Sequence, residues 1–317
     1  MRFNFNFFKF DSFWFCFLLL FLLTFLATVV SSSFSLDSIG YQDFFSYYSQ
    51  SSWSKIWTEI RGYELFFLVS AKIFNGWPSV LWFFVIAASS ISLKLILMQK
   101  SSRHFYLSLF FYVSYFFILH DGTGIRVSLA IAIAFWGVFL LGKNRVAMAF
   151  LLIMSAAMFF HYSLFLFLIV FCFGNNNVSC FLIFLWPVTV LMWSFGFVLI
   201  ALLREIFLQI NYNWIGLFKL KSYVLNYNEN AAPYSMQFII IYLVSVVVFL
   251  RYRDILTKFE LICFNCVFAS IAFLGVFVGA EGLQNRVSEI FRFGLVFIFP
   301  LYYFDFSDFI RKDIVMK

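Results

Sequence analysis

Long runs of apolar residues, separated by short polar segments, recur along the whole chain. Residues 77–97 form one such run, with a single lysine near its far end. Water is absent from the hydrocarbon core of a bilayer, so a crossing backbone must satisfy its own hydrogen bonds, in helices or in a closed barrel. The runs are continuous rather than alternating, and they have the length of a membrane-spanning helix, about 20 residues. The pattern therefore predicts an all-α, polytopic membrane bundle, with residues 1–317 as one domain.

The order of these runs predicts about ten transmembrane helices. Basic residues accumulate on the cytoplasmic side of membrane proteins. By this rule both termini are cytoplasmic, and Lys94, Lys100 and Arg103 mark a cytoplasmic turn. The two longest polar segments, 31–76 and 204–235, are then periplasmic loops.

Three shorter segments complete the predicted topology. Residues 120–126 and 281–288 are expected to be short outer loops. The apolar stretch 146–173 is long for one transmembrane helix and short for two. We interpret it as two short helices that meet at a dip near His161, because this arrangement keeps the later basic residues on the cytoplasmic side.

The composition excludes several classes of protein. The chain is 64% hydrophobic and 12% charged, whereas soluble domains are about half apolar and a quarter charged. The net charge is +7, but no run of Lys or Arg is longer than two residues, which argues against nucleic acid as a partner. Cys263 and Cys266 form a CxxC motif without a second pair or a nearby histidine. The chain also contains no Walker loop, no GxGxxG motif and no HExxH motif, so we expect neither a metal nor a cofactor.

Arg126 lies at the start of a predicted helix, where a charged side chain is informative. Ala130, Ala134 and Gly137 follow it at helical spacing and predict a close contact with another helix. If Arg126 faces that contact, its planar guanidinium suits a phosphate group, with which it forms two parallel hydrogen bonds. Alternatively, it extends to lipid headgroups. The sequence leaves both interpretations open.

A second charged group lies near the C-terminal end of the chain. Arg286, Glu289 and Arg292 are spaced three residues apart and share one side of a helix. Two arginines flanking one carboxylate leave a positive charge that is suited to a diphosphate, with Glu289 in a supporting role. The same residues also fit a self-neutralising structural cluster.

Three residues are candidates for proton transfer. His161, in an apolar run, is either a packed, hydrogen-bonded residue or a proton carrier. Asp43 and Glu64 lie in the predicted outer segment, each followed by aromatic residues. The tyrosines and tryptophans of that segment either stack on sugars or form the aromatic belt of the membrane interface; they are Tyr41, Tyr47, Trp53 and Trp57.

Four segments, in order, resemble the EpsG family of Wzy-type O-antigen and exopolysaccharide polymerases. They are GYELFF (62–67), IRVSLAIAIAFWG (125–137), KNRVAMAFLLIMSAAMFFHYSLF (143–165) and NRVSEIFRFGLVFIFPLYY (285–303). The resemblance implies a metal-independent membrane glycosyltransferase in the bacterial inner membrane. Such an enzyme polymerises undecaprenyl-diphosphate-linked oligosaccharide repeat units at the periplasmic face into O-antigen or a related surface polysaccharide.

The resemblance also implies roles for the candidate residues. Arg126, Arg286 and Arg292 would bind the diphosphate, and the base would be His161, Asp43 or Glu64. A flippase and a chain-length regulator would work nearby. Two other functions stay open: an O-antigen ligase-like transferase, which would use lipid A core as acceptor, and a flippase for lipid-linked oligosaccharides.

Overall fold

The computed structural model describes residues 12–35, 37–59, 64–174, 176–191, 205, 236–277 and 281–303. These residues form helices joined by short turns, with no strand among them, which confirms the all-α prediction. Four of the described helices are long and apolar enough to cross a membrane: Phe17–Phe34, Ser79–Ser101, Ile125–Gly142 and Lys258–Gly275. Apart from residue 205, the predicted loop 204–235 lies outside the described residues.

The first part of the chain contains one long helix and three short ones. Helix α1 (Ser12–Val29) continues through a π-helical turn, Val30–Phe34. The predicted outer segment then contains α2 (Ser38–Gln50), α3 (Trp53–Glu59) and α4 (Leu65–Ile73). The buried aromatics of α2 recur at helical spacing and pack against α4; they are Tyr41, Phe45 and Tyr48.

The middle of the chain contains two long helices, which are followed by a helical hairpin. Helix α5 (Ser79–Ser101) is followed by α6 (Phe105–Phe111), which continues as a π-helix, Tyr112–Gly122. Helix α7 spans Ile125–Gly142, and α8 (Val146–Ser155) continues as a π-helical turn, Ala156–Phe160. A 3₁₀ helix, Tyr162–Cys172, then folds back along α8. The predicted pair of short helices that meet near His161 is thus present.

The last part of the chain packs around α11. Its helices are α9 (Asn176–Leu191), α10 (Met236–Tyr252), α11 (Lys258–Val276), α12 (Glu281–Arg292) and α13 (residues 295–303). The prediction of a loop at 281–288 is wrong, because this polar segment is the first part of α12. Its apolar residues recur at helical spacing, and Val287, Ile290 and Phe291 are buried.

Helix α7 lies where two buried clusters of apolar side chains meet. Val127 and Ile131 belong to the larger cluster, and Ile125 and Leu129 belong to the smaller one around α2 and α4. Further along α7, a Cβ atom added at Gly137 would lie 2.6 Å from a side-chain atom of Ile153 in α8. The small residues of α7 therefore permit the close approach of α8 that the sequence predicts.

Candidate functional site

Three of the predicted site residues meet beside the start of α7. Glu64 directly precedes α4, Arg126 lies in the first turn of α7, and His161 occupies the bend of the hairpin. Arg126 Nη1 lies 3.2 Å from Glu64 Oε2, and His161 Nδ1 lies 3.5 Å from Glu64 Oε1. We call these three residues, together with Tyr41, the Glu64 cluster.

Tyr41 completes the Glu64 cluster from α2. The guanidinium carbon of Arg126 lies 5.2 Å from the centre of the Tyr41 ring. This distance permits a cation–π interaction, which holds the guanidinium against the ring. Arg126 therefore faces protein groups of α2 and α4, in agreement with the interpretation that places it toward the bundle.

The members of the Glu64 cluster differ in their access to the surface. The side chain of Glu64 is 1% exposed, whereas that of Arg126 is 29% exposed and that of His161 is 13% exposed. The carboxylate thus lies behind its two partners, and a molecule approaching the cluster meets the guanidinium and the imidazole first. These two groups are therefore more accessible than the Glu64 carboxylate.

The imidazole of His161 is held loosely. Its 3.5 Å distance to Glu64 is too long for a well-formed hydrogen bond, and Nδ1 has no hydrogen-bond partner among the described residues. Hydrogen bonds of catalytic groups are often long before substrate binds. A carboxylate beside Nδ1 favours the tautomer with the proton on Nδ1, which leaves Nε2 as the proton acceptor.

Helix α12 contributes the remaining predicted cations. Arg286 lies close enough to His161 for its charge to act on the imidazole. Glu289 interacts electrostatically with both Arg286 and Arg292. Arg292 lies deeper: its Nη1 donates to Tyr115 Oη at 3.0 Å and its Nη2 donates to Ser288 Oγ at 2.9 Å. The three charged residues of α12 thus extend from the Glu64 cluster toward the interior.

Asp43 lies apart from this arrangement. It is exposed on α2, two positions after Tyr41, which places the two side chains roughly 200° apart around the helix. Since Tyr41 faces Arg126, Asp43 is directed away from the Glu64 cluster. The structure therefore brings together His161 and Glu64, but not Asp43.

A second polar group, which the sequence interpretation missed, lies inside the bundle. Lys94 Nζ and Asp121 Oδ2 are 2.7 Å apart, and both side chains are fully buried. The assignment of Lys94 to a cytoplasmic turn is therefore wrong. A lysine within an apolar helix requires an internal partner, and Asp121 supplies it. That requirement was the signal in the sequence that pointed to this pair.

The carboxylate of Asp121 accepts four hydrogen bonds. Ser90 Oγ donates at 2.7 Å and Tyr112 Oη at 2.6 Å, while Lys94 Nζ and Ser128 Oγ supply the remaining two bonds. Because Asp121 lies on the π-helix that continues α6 and three of its donors lie on α5 and α7, these bonds hold the three helices together. We call these five residues the Lys94 network.

A third polar contact involves Arg103, which follows α5. Arg103 Nε donates to Glu260 Oε1 at 2.5 Å and Arg103 Nη2 donates to the Ile255 carbonyl at 2.9 Å. The hydrogen bonds to Glu260 raise the pKa of Arg103 above its ordinary value. Glu260 also closes a capping box with Thr257 at the start of α11. This contact ties α5 to α11 and is structural.

Comparison with known proteins identifies the family of the chain. No curated protein and no solved structure matches it. The model of the EpsG family matches residues 13–316, nearly the whole chain, and so covers both the Glu64 cluster and the Lys94 network. The chain therefore belongs to the EpsG family, a family of Wzy-like polymerases.

Proposed function

We propose that this protein polymerises undecaprenyl-diphosphate-linked oligosaccharide repeat units into O-antigen or a related surface polysaccharide. It transfers the growing glycan from its lipid carrier onto a fresh lipid-linked repeat unit. The observation that carries this proposal is the Glu64 cluster, in which a partly exposed imidazole and a partly exposed guanidinium flank one buried carboxylate. Membership of the EpsG family supports the same reaction class.

The proposed setting is the periplasmic face of the bacterial inner membrane. About ten membrane spans with both termini in the cytoplasm would place segments 31–76 and 204–235 in the periplasm. The Glu64 cluster would then open to the same side, because Glu64 belongs to the first of these segments. Flipped lipid-linked repeat units arrive there, so a flippase and a chain-length regulator are the expected partners.

His161 is the proposed base. The hydroxyl oxygen of the acceptor sugar attacks the anomeric carbon of the donor, and its proton passes to Nε2 of His161. When substrate binds, the contact between Nδ1 and Glu64 shortens to a hydrogen bond, which orients the imidazole and stabilises the imidazolium that forms. Glu64 is a poorer base itself, since its two oxygens already face Arg126 and His161. General base catalysis by such a group contributes a factor of about 10² to 10⁴.

The arginines are proposed to hold the leaving group. As the new glycosidic bond forms, the bond from the anomeric carbon to the diphosphate oxygen breaks, and the lipid diphosphate leaves with the electron pair. Arg126 and Arg286 face the developing charge, and Arg292 supports them from the interior. Loss of one donor from a charge-stabilising site typically costs about 3–4 kcal/mol. In this mechanism the protein's own cations stabilise the diphosphate, so the reaction is proposed to be metal-independent.

The cellular experiment is deletion of the gene followed by gel analysis of the surface polysaccharide. We expect the ladder of chain lengths to collapse to core carrying one repeat unit. Wild-type protein restores the ladder, and so does Arg145→Ala, in which the lost arginine is exposed at the start of α8. Arg126→Ala, expressed at the same level, does not.

Two other results of the deletion would contradict the proposed polymerisation. An unchanged ladder after deletion contradicts polymerisation of that glycan. Complete loss of the glycan indicates the ligase-like alternative or the flippase, and these two differ in where the lipid-linked units accumulate. A flippase deletion leaves them on the cytoplasmic side, whereas a ligase deletion leaves them on the periplasmic side.

A further inference from the structure

We propose that Asp121, Lys94 and Ser128 are positioning residues that fix the place of Arg126. They would act on the polymerase reaction through that arginine and not by touching the substrate. The effect of these residues on the reaction rate rests on the proposed function, whereas their effect on the position of Arg126 does not.

The Lys94 network cannot itself take part in substrate binding. Both side chains of the ion pair are fully buried. The Asp121 carboxylate already accepts four hydrogen bonds, two at each oxygen, so no lone-pair site remains for a ligand. A network in this state rigidifies its surroundings.

Two members of the Lys94 network bracket Arg126 along the chain. Asp121 lies five residues before it and Ser128 two residues after it, and their side chains are hydrogen-bonded to each other. Backbone bonds connect the same stretch: the Gly124 amide donates to the His120 carbonyl at 3.0 Å, and the Ser128 amide donates to the Gly124 carbonyl at 2.9 Å. The first turn of α7 is therefore tied at both ends.

The chain between the two tied points has little room to move. A Cβ atom added at Gly122 would lie 3.0 Å from a side-chain atom of Val30, so this backbone packs directly against the π-helical turn that follows α1. The carbonyl of Thr123 accepts a bond from Ser35 Oγ at 3.4 Å. The backbone that presents Arg126 is thus held by packing on one side and by the buried carboxylate on the other.

Arg126 needs this support because its ion pair is longer than that of Lys94. The guanidinium is partly exposed, and its bond to Glu64 is 3.2 Å long, compared with 2.7 Å for the Lys94–Asp121 pair. Displacement of a catalytic group by about 1 Å, caused by a change far from the chemistry, can reduce the rate about a hundredfold. A rigid backbone beneath the Arg126 side chain prevents such a displacement.

The first test uses the double variant Lys94→Met/Asp121→Leu, which removes both charges together and leaves no unpaired ion in the bundle. Purified wild-type and variant proteins are treated with phenylglyoxal, which modifies accessible guanidinium groups, and each arginine is quantified by peptide mass spectrometry. We expect labelling of Arg126 to rise several-fold and labelling of Arg145 to stay unchanged. Polymerisation should fall by up to about a hundredfold.

A milder pair of variants keeps the test decisive if the double variant does not fold. Ser128→Ala removes one bond between α7 and Asp121 but leaves the ion pair in place. Ser270→Ala is its matched control, since that buried hydroxyl bonds to a carbonyl of its own helix. We expect Ser128→Ala to raise Arg126 labelling and lower polymerisation, each several-fold, and Ser270→Ala to change neither.

The two measurements separate the two proposals. Unchanged Arg126 labelling in a folded Ser128→Ala or double variant overturns the positioning role, whatever happens to the rate. Increased labelling with an undiminished rate upholds the effect on Arg126 but contradicts the part that Arg126 plays in the proposed function. Increased labelling with a reduced rate supports both.

Discussion

The Glu64 cluster and the Lys94 network lie at the same end of α7 and use similar chemical groups, but they are built differently. In the Lys94 network the ion pair measures 2.7 Å and both side chains are fully buried. In the Glu64 cluster the carboxylate lies 3.2 Å from Arg126 and 3.5 Å from His161, and both of these partners are partly exposed. The carboxylate of the first group is saturated and buried, whereas the guanidinium and the imidazole of the second group are accessible from the surface.

This difference separates a structural ion pair from a candidate site. A buried charge is tolerated when its partners satisfy it completely, and such a pair has no capacity left for a ligand. A site that binds a substrate and transfers a proton needs groups whose hydrogen bonds are completed only when the substrate is present. Burial of charge alone would have ranked Lys94 above Arg126, whereas saturation ranks them in the opposite order.

The largest expected effect is on stability and comes from breaking the saturated pair. Asp121→Leu leaves the Lys94 ammonium buried without a carboxylate, which should cost about 3–5 kcal/mol. Thermal unfolding of the purified protein in detergent measures it. Asp254→Leu, which removes a carboxylate whose side chain is 86% exposed, is the control. A melting temperature for Asp121→Leu equal to that of the control would show that the pair does not stabilise the bundle.

The next effect is on activity and concerns the open cluster. Arg126→Lys keeps a positive charge near Glu64 but loses the planar fork that binds two phosphate oxygens. Polymerisation should fall roughly a hundredfold, as for the loss of one donor of a charge-stabilising site. Stability should change little. Arg145→Lys is the matched control, and equal rates for the two variants would argue against a diphosphate contact at Arg126.

A smaller effect is expected at the contact that holds the hairpin against α7. Gly137→Ala places a Cβ atom 2.6 Å from Ile153, and such overpacking should cost about 1–3 kcal/mol. Gly40→Ala is the control: it lies in α2 with open space around it, so the same change should stabilise that helix by up to about 1 kcal/mol. Thermal unfolding compares them, and equal shifts would contradict the close packing of α7 and α8.

The smallest effect is expected for the carboxylate outside both groups. Asp43→Asn removes a charge from an exposed side chain that is directed away from Arg126. Its polymerisation rate should stay near that of the wild type, within a factor of about two, since surface substitutions away from a site change little. A loss of polymerisation rate as large as that of Arg126→Lys would instead indicate that Asp43 is the base.

The sequence predicted the elements more completely than the contacts between them. The apolar runs identified the long helices, and the length of 146–173 identified the hairpin, because both depend only on local hydrophobicity. The sequence indicates each of three candidate residues, Arg126, Glu64 and His161. It does not predict that they lie in contact, since this contact depends on how the segments around α2 and α4 fold against α7. The aromatics of that segment, such as Tyr41, were open to two interpretations because their partners lie far away in the chain.

The errors have a common physical origin. The rule for basic residues places Lys94 in a cytoplasmic turn, because it considers one side chain at a time and ignores a buried partner such as Asp121. The high average polarity of residues 281–288 predicts a loop. Their apolar positions, at helical spacing, indicate instead a helix with one buried side.

The most direct test of the proposed mechanism is polymerisation by purified protein in lipid vesicles supplied with the lipid-linked repeat unit and EDTA. Wild-type protein should form chains of several repeat units and release lipid diphosphate. His161→Gln, folded and at equal amount, should be slower by a factor of about 10² to 10⁴, whereas His104→Gln, in the turn before α6, should match the wild type. Equal rates for His161→Gln and the wild type would contradict the proposed base.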